Sequence, residues 1–297
     1  MENIKIIKVE ATQSLQPREN AGYFIVEDAP HYPEMASELH AFLKLSKLSD
    51  VLLVSLPGAH PAAMTQSPAQ YKLPYRVGGM RLAIELQQYN HLVIGDPGHF
   101  LGALSASFFL GTRENNLFEI MALFVEKIAR VYGFDRDKII LIGGSAGGFA
   151  AFQLSTYSAS FNKAFILNQQ VNVFDYPQLL KFNYFSKYFG VQDVEQELQQ
   201  SAYASRFCCI ERVKNMDLTL KRYYFLSNCN DTHFDKTQTL HQELYRRVDN
   251  LILDTYVGPD IHAAPEYEYF KDKLLSAIPN LLNDKPHTTD KLIIRGD

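Results

Sequence analysis

Lys138-Ile139-Ile140-Leu141-Ile142-Gly143-Gly144-Ser145-Ala146-Gly147 is the stretch that decides the fold. A short apolar, β-branched run reads as a buried strand, and Gly147 to Tyr157 beyond the turn reads as a helix. At a G-x-S-x-G turn the chain reverses so sharply that its central residue takes a strained backbone. Side chains two positions to either side would collide there, so glycine stands at both. The serine hydroxyl is then held at the tip of the sheet, facing the N-terminal amides of the next helix. A phosphate-binding loop also joins strand to helix through glycines. Its Walker form needs a Gly-Lys-Ser/Thr that is missing here, and its dinucleotide form needs glycine where Ser145 stands. Ser145 therefore reads as a nucleophile, and the Ala146 amide as a donor to the oxyanion that its attack would create.

Outward from the turn, strand-sized apolar runs alternate with longer amphipathic segments. Ile4 to Val9, Tyr23 to Glu27, Val51 to Leu56 and His91 to Ile94 read as strands before the turn; Lys163 to Leu167, Arg222 to Leu226 and Asn250 to Val257 follow it. Leu117 to Tyr132 and Glu266 to Leu282 carry helical stripes, the first closed by Gly133. This is the pattern of an α/β fold, a mostly parallel central sheet flanked by helices. It predicts one domain over residues 1–282, with a helical insertion at about 172–213 after the sixth strand and a polar tail over 283–297.

A serine hydroxyl needs a base to take its proton, and the base needs a carboxylate to orient it. In a sheet with this turn, the chain order is serine, acid, histidine, each in a loop beyond a strand. Asp231 lies just past the strand ending at Leu226, and His262 follows the last strand in Gly258-Pro259-Asp260-Ile261-His262-Ala263. Asp235, Asp254 and Asp260 are the other carboxylates near enough to serve, and His233 reads as a neighbour of the acid or a loop histidine. The second oxyanion amide should come from Ser55-Leu56-Pro57-Gly58-Ala59-His60. Pro57 has no N–H, which leaves Leu56, Gly58 or Ala59, with Gly58 preferred. His60 either contacts substrate or is a solvated loop histidine. Asp96 and His99, in Gly95-Asp96-Pro97-Gly98-His99, either edge the site or serve the turn. Phe182, Tyr184, Phe185, Tyr188 and Phe189 in the insertion could stack on sugar rings, but a helix packed on the sheet would look the same, and packing is the preferred reading.

Composition removes several classes. A net charge of −4 with no basic block gives no footprint for nucleic acid. The charged N-terminus lacks a secretion signal, and no apolar run is long enough to cross a bilayer. Cys208, Cys209 and Cys229 lack metal-ligand spacing, so no metal is expected and a reducing cytoplasm fits.

The chain resembles a branch of the α/β-hydrolase superfamily, the bacterial capsule and surface-polysaccharide O-acetyltransferases. The likeness rests on Ile142 to Ala150, on Leu167-Asn168-Gln169-Gln170-Val171-Asn172, on Asn228 to His233 and on Gly258 to Pro265. Gln169 stands where the branch often has proline, and it joins the candidate substrate-binding positions. The resemblance implies a cytoplasmic enzyme taking acetyl from acetyl-CoA to a sugar hydroxyl by way of Ser145. Hydrolysis of a small ester or decorated glycan would use the same groups, and a non-catalytic binding or assembly protein on this fold is a third possibility.

Overall fold

The computed structural model describes residues 5–9, 21–26, 39–59, 79–98, 104–177, 179, 183–191, 203–214, 216–248, 250–259, 261–283 and 292–296. Among the described residues ten strands form one sheet: β1 (Lys5–Val9), β2 (Ala21–Val26), β3 (Leu39–Lys44), β4 (Leu52–Leu56), β5 (Asn90–Ile94), β6 (Ile139–Gly144), β7 (Lys163–Leu167), β8 (Arg222–Asn228), β9 (Asn250–Tyr256) and β10 (Leu292–Gly296). Their order is β1-β2-β3-β5-β4-β6-β7-β8-β9-β10. Only β3 runs against its neighbours; the other pairings are parallel.

The helices flanking the sheet are α1 (Met80–Glu85), α2 (Leu117–Tyr132), α3 (Ala146–Ser155), α7 (Phe234–Tyr245) and α8 (Tyr267–Leu282). Between β7 and β8 lie the short helices α4 (Tyr184–Phe189), α5 (Ala204–Phe207) and α6 (Cys209–Lys214). On one face of the sheet Leu117, Phe118, Phe149 and Phe152 of α2 and α3 join Leu240 and Leu244 of α7 in one buried core. On the other, Leu82 of α1 and Leu274 and Ile278 of α8 pack over Leu53, Ile140 and Phe165. Sheets wound this way open a crevice beyond the carboxyl ends of the strands, where the loops after β4, β6, β8 and β9 converge.

Two expectations need correction. The insertion follows the seventh strand, because Leu39–Lys44 is a strand that the pattern hid. Its residues are covered on both faces, so it shows no alternation, and its polar ends broke the apolar run. His40 is buried, and Lys44 Nζ donates to the Ala83 and Leu86 carbonyls at 2.8 and 3.0 Å, closing the C-terminal end of α1. Within the stretch read as a polar tail, Leu292–Gly296 pairs in parallel with β9. The apolar Leu292-Ile293-Ile294 suits a strand, and the polar residues around it masked the signal.

The aromatic insertion is packed. Tyr184, Phe185, Tyr188 and Phe189 are all buried, with Phe185 5.1 Å from Phe174 and 5.5 Å from Phe207 between ring centres. These rings face one another and offer no flat surface to a sugar; Phe182 lies outside the described residues.

Candidate active site

Ser145 lies between β6 and α3 with φ 55 and ψ −122, a left-handed backbone that an L residue adopts at a cost. Packing holds it there. A Cβ at Gly143 would lie 2.0 Å from the Gly147 carbonyl oxygen, and one at Gly147 would lie 2.0 Å from that of Leu56. Both glycines of the G-x-S-x-G turn are thus demanded by contact. The Ser145 amide donates to the Leu167 carbonyl at 2.9 Å, tying the turn to the end of β7.

The side chains expected to work together do meet. Ser145 Oγ is 2.7 Å from His262 Nε2, and His262 Nδ1 is 2.7 Å from Asp231 Oδ2. The other Asp231 oxygen accepts the His233 amide at 2.8 Å. The Asp231 side chain is 5% exposed and that of His262 25%. Burial alone would raise the Asp231 pKa, but the hydrogen bonds from His262 and the His233 amide outweigh it and hold the carboxyl below its ordinary value. Asp231 is thereby kept ionised and acceptor-only, so His262 carries its proton on Nδ1 and turns a lone pair to Ser145. Asp254 cannot be the acid. Its buried carboxylate takes the Tyr224 hydroxyl at 2.5 Å and Lys273 Nζ at 2.9 Å on the other face of the sheet.

Ala146 opens α3, so its N–H is one of those the helical ladder does not use. The loop after β4 presses on the serine: a Cβ at Gly58 would fall 2.8 Å from the Gly144 oxygen and 3.5 Å from Ser145 Cβ. Both expected oxyanion donors therefore border Ser145.

Two candidate substrate contacts are corrected. Asp96 is 1% exposed and accepts from the Gly98 amide at 3.0 Å, the Ser107 amide at 2.7 Å and the Ser107 hydroxyl at 2.5 Å. Its oxygens are occupied in fastening its own loop to the segment before α2. Gln169 is also 1% exposed, with its amide nitrogen 3.2 Å from Cys209 Sγ, so its side chain points into the packed insertion. His60, His99 and Asp260 lie outside the described residues.

Sequence reasoning missed the groups that brace the site. Asn168, Asn228 and Tyr256 are buried polar residues whose hydrogen bonds join the acid loop to the histidine loop. Asn168 and Asn228 stood in stretches already marked as distinctive; Tyr256 gave no signal beyond ending a strand. His233 sets its ring nearly perpendicular to that of His262, with centres 5.2 Å apart. Burial first, and the neighbouring His262 second, lower its pKa. Asp231, His233 and His262 bring one ligand atom each within 4.8 Å of one another, a cluster whose imidazole and carboxylate donors could hold a divalent cation such as Zn²⁺. A cleft of about 680 Å³ between α7 and β9, lined by Gln238, His241, Arg246 and Leu253 among others, includes none of these groups.

A capsule O-acetyltransferase of Neisseria meningitidis serogroup A superposes with a TM-score of 0.62 at 14% identity, covering 82% of this chain and 92% of that one. The fold is that of the α/β-hydrolases. A fluorophosphonate-binding serine hydrolase of Staphylococcus aureus matches with a TM-score of 0.54 at 15% identity, over 89% of this chain and 100% of its own. Esterase B of Lactobacillus rhamnosis gives 0.56 at 15% identity, over 91% and 88%. No family model matches the sequence, and no curated protein does. All three cysteines are free, and among the described residues no helix is long and apolar enough to cross a membrane.

Proposed function

We propose that this protein moves an acyl group through a covalent ester on Ser145, taking acetyl from a thioester donor to a hydroxyl of a bacterial surface polysaccharide. The observation that carries the reading is the unbroken chain of 2.7 Å contacts from Ser145 to His262 to Asp231 on a strained strand-to-helix turn. His262 Nε2 takes the hydroxyl proton as Oγ bonds to the acyl carbon. The oxyanion that forms is met by the amides of Ala146 and Gly58, a pair of contacts in which each donor contributes about 3 kcal/mol at such sites. As the carbon–sulfur bond breaks, His262 returns the proton to the departing thiolate. An acceptor hydroxyl then gives its proton to His262 while its oxygen attacks the ester, and the proton returns to Ser145 Oγ as the enzyme is freed. Asp231 stays ionised and holds the imidazole in the working tautomer.

The transferase reading is supported by the meningococcal neighbour, which has also been solved in complex with CoA. A transferase drawing on acetyl-CoA would work in a reducing cytoplasm, in keeping with three unpaired thiols. Ester hydrolysis is the second reading, favoured by the esterase and serine hydrolase neighbours at comparable TM-scores. It differs only in admitting water to the acyl-enzyme. The test is to load the protein with acetyl-CoA or p-nitrophenyl acetate and follow the acetyl adduct by intact mass. An adduct that persists in buffer and discharges onto an added glycan supports transfer. One that discharges at the same rate with and without glycan supports hydrolysis, and no acetylation or acetate release from either donor would sink both.

A further inference from the structure

The stretch Leu167 to Asn172 was marked by its sequence, yet none of its side chains enters the chemistry. Asn168 lies at the turn after β7 with φ 40, a left-handed conformation that asparagine tolerates better than most residues. Its amide is fully used. Oδ1 accepts the Asn228 amide at 2.7 Å, and Nδ2 donates to the Tyr256 hydroxyl at 2.5 Å and to the Ala263 carbonyl at 2.6 Å. The assignment of oxygen and nitrogen is forced, because a backbone N–H faces one end and a backbone carbonyl the other. Tyr256 then donates its own hydroxyl to the same Ala263 oxygen at 3.0 Å, and burial lifts its pKa to about 12, so that proton stays in place.

The backbone of the same turn completes the connection. Leu167 O receives the Ser145 amide at 2.9 Å, and Asn168 N donates to Leu226 O at 2.9 Å. One short turn therefore touches the nucleophile's backbone, the strand that delivers Asp231 and the residue next to His262. We infer that Asn168 is the positioning residue of the site, setting the reach of His262 toward both Ser145 and Asp231 by holding the Ala263 carbonyl. Val257 and Ile261 in this loop are exposed, so hydrogen bonds hold it: Asn228 Nδ2 donates to the Pro259 carbonyl at 2.9 Å at its start, and Asn168 holds Ala263 directly beside His262.

The inference rests on the Ser145–His262–Asp231 reading, and its test is chosen so that the two fail differently. Asn168→Asp keeps shape and tolerance of the left-handed turn, but sets an oxygen against the Ala263 carbonyl. Tyr256→Phe removes the second bond to that carbonyl and one of the two acceptors of Asn168 Nδ2, leaves the Asn168 bond to Ala263 in place, and serves if Asn168→Asp does not fold. Proton NMR of each protein is read for the low-field resonance of the Asp231–His262 hydrogen bond, which needs no substrate. Alongside, kcat and KM for p-nitrophenyl acetate are measured with and without His262→Ala.

The expected result is a lost or shifted low-field resonance in Asn168→Asp and a fall in kcat on the order of 10²-fold with KM little changed. Tyr256→Phe should show a smaller fall of the same kind. In the His262→Ala background either change should cost less than about twofold, because the group being positioned is gone. A native low-field resonance with kcat within twofold in the variants, or an equal loss with and without His262, would overturn the inference. Absence of the resonance from the wild type would instead count against the pairing of Asp231 with His262 itself.

Discussion

Replacing Asp231 by asparagine should invert the tautomer of His262, and the surrounding hydrogen bonds decide the outcome in advance. In the native site one carboxylate oxygen accepts the His233 amide at 2.8 Å and the other accepts His262 Nδ1–H at 2.7 Å. An asparagine must place its NH2 on one of these two sides. Toward the His233 amide it would set donor against donor, so the NH2 turns to His262 instead. The imidazole can meet it only with a bare Nδ1, which moves the ring proton to Nε2, 2.7 Å from Ser145 Oγ. A nitrogen that already carries a proton cannot take the one on serine. The same inversion in a comparable site costs about 10⁴ in kcat, and we expect a loss of about 10³ to 10⁴ here, equivalent to about 4–5.5 kcal/mol of barrier. The assay is steady-state release of p-nitrophenol from the acetyl ester, with thermal unfolding to show that the variant is folded. A folded Asp231→Asn protein within tenfold of the wild-type kcat would refute the assignment of the acid.

Four further outcomes follow from the same geometry. Because the folded pKa of Asp231 is depressed, its stabilising contribution should be complete above the ordinary carboxylate pKa of about 3.9 and drain away as pH falls toward the lower folded value. The gap in melting temperature between wild type and Asp231→Asn should therefore be flat near neutrality and narrow in acid. Gly58→Ala brings a methyl to 2.8 Å from the Gly144 oxygen, and should lower kcat by about 10²-fold while denaturant titration finds a loss of about 1–3 kcal/mol. Phe185→Ala should cost about 3–5 kcal/mol in the same titration and leave KM for a sugar acceptor unchanged, since the ring is buried among others. Added Zn²⁺ should inhibit by claiming the Asp231, His233 and His262 cluster, an effect that His233→Ala should weaken in a dose–response of ester hydrolysis.

The fold was legible because its signals are local. A β-branched run entering a glycine-framed serine fixes a strand, a turn and a helix within a few residues, and the later apolar runs placed β7, β8 and β9 with their loops. The strand β3 was not legible, since a strand covered on both faces has no period and its Lys44 is made acceptable only by carbonyls some forty positions away. Within the site, Ser145, Asp231 and His262 could be placed because each follows a strand in a fixed order. Asp96 and Gln169 misled for a shared reason: a polar residue at a strand end looks the same whether it meets substrate or fastens a loop, and only the three donors around Asp96 distinguish them. The bracing by Asn168, Asn228 and Tyr256 joins loops distant in the chain, and such pairings leave no mark on neighbouring residues.

The most direct test of the account is whether Ser145 is the activated nucleophile. Wild type and Ser145→Ala, each shown to be folded, would be treated with a fluorophosphonate probe and their intact masses and peptide maps compared. One phosphonyl adduct on the wild type, mapped to Ser145 and absent from Ser145→Ala, is the predicted result. An unlabelled wild type, or equal labelling of both proteins, would contradict it.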